Sequence, residues 1–551
     1  MSVASANRST AAPVPGARAT AFTGTWPLAR AALRRDRVRT PAWGVGLAAM
    51  VLAVAPTFDR LYPTAQSRLE LAASLAASPS LTALLGPLYN PLSTGGLTAW
   101  RVGAGLTLAL GLVNVFLVVR HSRAEEQAGL AELTGSGVVG RRAPLAAALV
   151  AASAVDLVFA VLVVLGLGGR GMGWAGALAF GTTIAGAALV FAAAAAVAAQ
   201  LTRTARAANG LGSAVVAGMF ALASLANSSS PPHAVVWLTP IGWVEQTRPF
   251  AGERWWVIAL EVVVSAALAL VALEVAGRRD LGSGILRPRL GRTTAARWVG
   301  SPQTLAWRLD RATLLVWVLG VTALGALVGS LVRSGVDMIA SNPRLAEYIR
   351  SLGSTSSTIA DAYALTVIAM FALVAAAFGL STVLRLHVDE TEGRAELVLS
   401  TQASRVQWGA ARLVTAASGV VAILLAGGLA MGLVYGATAH DLPGLSVRYT
   451  EAALVAVPAA WVLVGLSMAV VGLLPRLTWV LWLVLTYCIV VGELGPLLGL
   501  PDWMRKITPF WYVPRWPAEA FAPVPLVVLT ALAGLLAVGG LAGLKRRDVP
   551  D

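Results

Sequence analysis

The sequence is poor in cysteine, in lysine and in catalytic motifs. Among 551 residues there is one cysteine, Cys488, and there are two lysines, Lys506 and Lys545. A single thiol excludes an intramolecular disulfide and a multi-cysteine metal site. Neither lysine follows a glycine, so the Gly-Lys-Ser/Thr sequence with which a P-loop holds nucleotide phosphates is absent. The zinc motif H-E-x-x-H and the nucleophile elbow G-x-S-x-G are absent as well.

Charge is also scarce, and its distribution decides the class of protein. Only 13% of the residues are charged, against about a quarter in a soluble domain. The chain is 57% hydrophobic with a mean hydropathy of +0.74, and apolar runs such as 143–169 and 173–202 recur along its length. Runs of that length are typical of transmembrane helices. The net charge of +15 lies between these runs, so it indicates a membrane protein and no nucleic-acid partner.

The apolar runs predict an all-α polytopic membrane protein of twelve transmembrane helices. Each run is long enough, or nearly so, to cross about 30 Å of hydrocarbon. We predict spans at about 42–58, 98–119, 143–166, 173–200, 208–226, 255–276, 312–332, 362–386, 409–437, 449–474, 477–499 and 523–543. Of the 42 basic residues, 29 lie in alternate connecting segments, which are therefore predicted to be cytoplasmic. Both termini are then predicted to lie on the cytoplasmic side of a bacterial cell membrane. The first span is predicted to be a retained membrane anchor.

The twelve predicted spans form two parallel repeats of six helices. LRRDR at 33–37 matches WRLDR at 307–311, GLAEL at 129–133 matches GRAEL at 393–397, and LTPIGWV at 238–244 matches ITPFWYV at 507–513. Because each half has an even number of spans, both enter the membrane in the same orientation. The predicted domains are a basic segment 1–41, the halves 42–276 and 312–543, a linker 277–311 and a tail 544–551.

An acidic segment follows the second span of each half. Acidic and glycine residues share one spacing there, i, i+4 and i+7, which places them on one helical face. A charged segment that leaves a membrane is often only a solvated loop. Its duplication at equivalent positions in the two halves favours two acidic docking surfaces that bind a two-fold-symmetric soluble partner. The candidate coupling residues are Glu125, Glu126, Gly129, Glu132, Asp389, Glu390, Gly393 and Glu396.

The motif E-x-x-G-x-x-E-L after the second span, followed nine residues later by Arg141 or Arg405, resembles the permeases of ABC-2 type exporters. The length and the fused two-half layout are similar to the actinobacterial tetronasin-type exporters of polyketide antibiotics. The resemblance implies that the acidic segments are coupling helices, which bind to two copies of a nucleotide-binding ATPase subunit. It implies no cofactor in this chain, with ATP and Mg bound by the partner. The implied cargo is a hydrophobic or amphiphilic drug, antibiotic or lipid.

Two further groups of residues are candidates for function. Ionisable residues inside spans can line a pathway, although packing is an equally ordinary role; they are Arg101, Asp156, Glu261 and Glu493. Aromatic segments before the sixth and twelfth spans could form an external gate or a re-entrant hairpin, and the alternative is an interface belt. The gate candidates are Pro240, Trp243, Pro509 and Trp511.

Two other classes of protein stay open at this point. A proton-coupled secondary exporter can also have two six-span halves, and it would depend on Asp156, Glu261 or Glu493. A membrane-embedded lipid-linked transferase would carry carboxylates in the first outer loop, where this chain offers Asp59 and Glu70 without a paired acidic motif.

Overall fold

The computed structural model contains only helices and irregular segments in the residues that it describes. It describes residues 20–76, 79–130, 139–227, 234–286, 294, 298–341, 356–494, 501–517, 519 and 521–546. The chain divides into two compact units, Met1–Leu290 and Gly291–Asp551. We call them unit 1 and unit 2.

Unit 1 is a bundle of long apolar helices with shorter helices at both ends. Its helices are α1 (Thr25–Arg35), α2 (Arg39–Leu61), α3 (Ala65–Ala76), α4 (Pro79–Leu85), α5 (Thr94–Val119), α6 (Glu125–Gln127), α7 (Ala143–Gly168), α8 (Trp174–Leu201), α9 (Ala205–Asn227), α10 (Pro240–Gln246) and α11 (Trp255–Arg278). A π-helical turn, Arg120–Ala124, joins α5 to α6.

The α8 helix forms the centre of unit 1 because it carries no ionisable residue and is rich in alanine and glycine. It packs against α5, α7, α9 and α11. Small side chains let large neighbours approach closely. A Cβ on Gly111 of α5 would lie 2.7 Å from the Phe191 ring of α8. Phe180 and Phe191 are fully buried in this core.

Unit 2 is a second helical bundle. Its helices are α12 (Pro302–Ser341), α13 (Ser356–Thr391), α14 (Arg394–Leu399), α15 (Arg405–Ala439), α16 (Leu442–Val455), α17 (Val457–Leu473), α18 (Val480–Ile489), α19 (Asp502–Lys506) and α20 (Pro523–Arg546). Its core is built around α15, which packs against α12, α13 and α16. The α17 and α20 helices meet at Gly472 and Gly540, where a Cβ on Gly472 would collide with the carbonyl oxygen of Gly540.

Eleven helices within the described residues are long and apolar enough to cross a membrane. The tenth predicted span is divided between α16 and α17 by a break at Ala456. The eleventh predicted span, 477–499, is represented by the shorter apolar helix Val480–Gly492, and residues 495–500 lie outside the described residues. The chain is therefore a multi-pass α-helical membrane protein, and the layout of twelve spans in two repeats stays a prediction.

Candidate coupling sites and buried polar sites

The first acidic segment is tied to the helix before the first span. The Glu125 carboxylate lies 2.6 Å from Arg35 Nη1 and 3.2 Å from His121 Nδ1. The other ring nitrogen, His121 Nε2, lies 2.8 Å from the buried carboxylate of Asp36. Arg120 also pairs with Asp36, at 3.0 Å. His121 therefore links the acidic segment to Asp36, the residue at which α1 ends.

The side chain of Glu126 points into the protein, and only 10% of it is exposed. Its carboxylate pairs with Arg123 at 2.9 Å and with Arg279 at 2.8 Å, and it accepts a hydrogen bond from Gly282 N at 2.6 Å. Arg123 is itself buried and donates to the Ala199 carbonyl oxygen at the end of α8. Glu126 thus fastens the end of α5 to the segment that follows α11. The prediction that it docks an ATPase stays a prediction, and this geometry gives it an internal role.

The second acidic segment repeats the link with different bases. Asp389 accepts hydrogen bonds from Arg394 at 3.0 Å and from Arg412 at 3.1 Å. Arg412 also pairs with Asp310, and so does Arg385. Asp310 is fully buried within α12. Each unit therefore contains an acid–base–acid relay, Glu125–His121–Asp36 in unit 1 and Asp389–Arg412–Asp310 in unit 2.

Both acidic segments turn at a glycine in the left-handed region. Gly129 has φ 75° and Gly393 has φ 70°, and a Cβ at either position would meet nothing within 4 Å. The backbone conformation, rather than space, is what requires glycine there. After Gly393 the α14 helix presents Glu396 and Leu397 on the surface, and Leu397 is 75% exposed. The corresponding residues of unit 1, including Glu132, lie outside the described residues.

Two of the candidate pathway acids are buried in unit 1. Asp156 on α7 is 1% exposed and accepts a hydrogen bond at 2.8 Å from Asn114 Nδ2 of α5, which also donates to the Ala188 carbonyl oxygen. Glu261 on α11 is fully buried and accepts from the Thr183 hydroxyl at 2.8 Å. Asp156 Oδ1, Asn114 Oδ1 and Glu261 Oε2 have no hydrogen-bond partner among the described residues.

The other two pathway candidates do not join these acids. The Arg101 side chain is exposed, and within the described part of the chain it forms no ion pair with either acid. The backbone of Glu493 lies in the π-helical turn Val490–Leu494, but its side chain is outside the described residues.

The two aromatic segments differ in structure. In unit 1, Thr239 caps α10 by accepting a hydrogen bond from Gly242 N at 3.0 Å, and Pro240 occupies the first turn. Trp243 is 7% exposed, and its indole donates to the Trp237 carbonyl oxygen at 2.6 Å. In unit 2, Pro509–Tyr512 is a short 3₁₀ helix, and the Arg505 guanidinium lies 4.4 Å from the Trp511 ring centre. The first aromatic segment is thus a buried helix, and the side chains of the second are more exposed to solvent.

Sequence reasoning identified the acidic segments but not their buried partners. Asp36 and Asp310 were visible as the shared aspartate of LRRDR and WRLDR, although nothing in that pattern named His121 or Arg412 as the base. Asn114 carries no charge and stands alone within an apolar run, so no sequence signal connected it to Asp156.

The fold and these sites define a polytopic α-helical membrane protein in which each of two helical units has a cluster of charged residues where a long helix meets its acidic segment. Residues 299–545 match the model of a family described as the multidrug efflux system permease Rv1217c, C-terminal domain. Over 536 residues the chain is 38% identical to the multidrug efflux system permease protein Rv1217c of Mycobacterium tuberculosis (strain H37Rv). The aligned region covers 97% of this chain and 96% of that relative. The chain belongs to this family of multidrug efflux permeases.

Proposed function

We propose that this chain is the membrane-spanning subunit of an ATP-driven ABC exporter, and that it moves drugs or other hydrophobic or amphiphilic compounds out of the cell. Its relative is a multidrug efflux permease, and the chain has no P-loop of its own. Two copies of a separate ATPase subunit would bind ATP and Mg. A tetronasin-type polyketide cargo is the finer form of this proposal, and it rests on the resemblance of layout alone.

The acid–base–acid relays support this proposal most directly. An ATPase that moves a surface segment must transmit that movement into the membrane helices. In unit 1 the Glu125 carboxylate reaches Asp36 through the single side chain of His121. In unit 2 Asp389 reaches Asp310 through Arg412. Charge-assisted hydrogen bonds of this kind are short and directional, so a shift of the acidic segment would be passed to α1 or α12.

The docking contact is assigned to the exposed face of α14, with its equivalent in unit 1 expected beyond residue 130. Leu397 is 75% exposed, and Glu396 lies beside it on the surface. An exposed leucine next to an acid fits a partner groove with an apolar floor and a basic rim. This pairing predicts that binding depends on both the apolar contact and the sign of the charge.

The experiment is copurification of the full chain with its ATPase, together with ATP-dependent export in vesicles. We expect Glu396→Lys to weaken both, because a rim acid would then repel basic groups on the partner. Asp502→Lys is the matched control, since Asp502 is an exposed acid of the same unit on the segment predicted to lie outside. Normal assembly and export in the Glu396→Lys variant would remove α14 from the docking site.

The topology requires its own measurement, since the docking site must face the cytosol. In a Cys488→Ser background, a cysteine at Gln66 should react with an impermeant reagent added outside, and a cysteine at Gln127 should not. Both side chains are exposed on the surface of unit 1. The opposite pattern would place the acidic segments outside and end the ATPase proposal.

A proton-coupled exporter is the second candidate, and the buried acids of unit 1 favour it. Asp156 and Glu261 each keep one carboxyl oxygen without a partner among the described residues. An acid in that setting is stable only when protonated or hydrated. If collapse of the proton gradient stops export while ATP is present, and Asp156→Asn and Glu261→Gln are inactive, this candidate replaces the first.

A further inference from the structure

A small cavity lies in unit 1 between α10 and the segment before α5. It has a volume of about 40 Å³, and its wall includes Tyr89, Trp100, Phe180, Glu245 and Arg248. Since one water molecule needs about 10–15 Å³ of such space, roughly three fit. The cavity is therefore too small for a drug, and its size suits water and protons.

Glu245 forms an acid–amide pair at this cavity. Asn227, the last residue of α9, is 2% exposed, and its Nδ2 lies 3.0 and 2.9 Å from the two carboxyl oxygens of Glu245. Asn227 Oδ1 is buried and has no hydrogen-bond partner among the described residues. A carboxylate has no hydrogen to donate to this oxygen, whereas a carboxylic acid has one. Of the two forms of Glu245, the neutral acid is the one that has a hydrogen to donate to this oxygen.

The carboxyl group of Glu245 is also confined by the backbone. Gly86 has φ 80°, and a Cβ at that position would lie 2.6 Å from Glu245 Cδ. The Trp100 indole donates to the Gly86 carbonyl oxygen at 3.0 Å and holds this turn in place. Full hydration of an ionised Glu245 would therefore require the turn or α10 to move.

The charges around Glu245 do not neutralise it. Arg248 lines the same cavity with its guanidinium 4.4 Å from the Tyr89 ring centre, and Arg254 donates to Gln246, so neither cation is ion-paired with Glu245 among the described residues. Glu253 lies further along the same segment. Within the described residues, no ion pair includes Glu245.

The helices packed against α10 contribute little more. The α8 helix carries no ionisable residue, α5 has only the exposed Arg101, and α9 has only Arg206 near its opposite end. Glu261 of α11 is bonded to Thr183. Residues 228–233, which contain His233, lie outside the described residues. Burial raises the pKa of Glu245 to about 7, although the Asn227 hydrogen bond opposes this increase.

We propose that Glu245 is a proton-binding residue, and that its neutral form donates to Asn227 Oδ1 and holds α10 against the end of α9. The proton is exchanged with water in the cavity. Because the group is protonated more readily when α10 is docked than when it is solvated, docking is strongest below about pH 4.5, the ordinary pKa. It weakens as the pH rises through about 7, where the docked form loses its proton.

The test uses the full chain in lipid nanodiscs, without ATP or a partner. Infrared difference spectra across this pH range should show a carboxylic-acid band that titrates near neutral pH and disappears in Glu245→Gln. Hydrogen exchange of α10, corrected for intrinsic rates, should become faster with rising pH in the wild type. It should be independent of pH in Glu245→Gln, because the amide donates to Asn227 at every pH.

The control variant is Glu253→Gln, an acid eight residues further along the same segment. It should keep the band and the pH-dependent exchange, and wild-type exchange in the core helix α8 should confirm that each variant is folded. Retention of the titrating band in Glu245→Gln would overturn the proposal. Equal pH dependence of α10 exchange in Glu245→Gln and in the wild type would overturn it as well.

Discussion

The two units contain the same relay at the acidic segment, but they differ in the base that completes it. Asp36 and Asp310 are both buried, and each is linked through one base to an acid of the segment, Glu125 or Asp389. Unit 1 uses His121, which can exist without charge, whereas unit 2 uses arginines, which cannot. The order acid–base–acid is thus shared, but the base comes from the turn before α6 in unit 1 and from α15 in unit 2.

The interiors of the two units differ further. At the sequence offset of 264 that relates the acidic segments, Asn114 corresponds to Phe378 and Asp156 corresponds to Val420. Phe378 and Val420 are fully buried in the apolar core of unit 2. At the offset of 269 that relates the aromatic segments, Glu245 corresponds to Pro514. The polar positions Asn114, Asp156 and Glu245 of unit 1 therefore have apolar counterparts in unit 2, whose own buried acid Asp361 bonds instead to Arg448 and Tyr449.

Removal of the buried acid should separate the two relays most clearly. Asp310→Ala removes the buried carboxylate that pairs with both Arg385 and Arg412 and leaves Arg412, which is 6% exposed, with Asp389 alone, so we expect it to lower the free energy of unfolding by about 3–5 kcal/mol. Asp36→Ala should cost less, about 1–3 kcal/mol, because its ion-pair partner Arg120 is 42% exposed and water can solvate the freed guanidinium. Denaturant titration of the detergent-solubilised chain measures both. Equal losses would show that the relays are electrostatically equivalent.

The Glu126 side chain of unit 1 is only 10% exposed and pairs with two arginines, whereas Glu392 in the acidic segment of unit 2 is exposed. Glu126→Gln removes the charge that balances Arg123 and Arg279, and we expect a loss of about 2–3 kcal/mol in unfolding free energy. The same change at Glu392, an exposed acid of unit 2, is the control and should cost less than about 0.5 kcal/mol. If Glu126→Gln is stable yet fails to bind the ATPase, Glu126 docks the partner instead of fastening the linker.

The sequence predicted the long helices well and the ion pairs poorly, for physical reasons. The α7 and α8 helices follow runs without charge except for Asp156, so their bounds agree with the predicted spans within about two residues. The sequence did not predict the α1 helix, because its many arginines make the segment polar overall although Ala29 and Ala32 are buried on one face. Glu126 and Arg279 are 153 residues apart, and helical periodicity carries no information on such a contact.

The Asn114–Asp156 pair offers a direct exchange between the two interiors. Asp156→Val, which introduces the residue found in unit 2, removes one of the two acceptors of the Asn114 amide and leaves the Ala188 carbonyl oxygen, and it should cost about 1–2 kcal/mol. Adding Asn114→Leu should restore most of this loss, because apolar groups that replace both partners are nearly neutral. Unfolding free energies of the single and double variants form the cycle. If the loss in the double variant equals the sum of the losses in the two single variants, Asn114 and Asp156 contribute to stability independently.

The smallest expected effect on folding is at the surface residue Leu397. Since 75% of this side chain is exposed, Leu397→Ala should change the unfolding free energy by less than about 0.5 kcal/mol. The same change removes the apolar centre of the α14 face, so affinity for the ATPase should decrease by about 1–2 kcal/mol, roughly 5- to 30-fold. Binding is measured on the purified permease. The control is Val388→Ala, because Val388 is another exposed apolar residue and lies near the C-terminal end of α13, the helix before α14. Leu133, which matches Leu397 at the offset of 264, lies outside the described residues. If Leu397→Ala leaves binding unchanged while Leu133→Ala abolishes it, the partner is held by unit 1, and the exposed face of unit 2 is only a solvated surface.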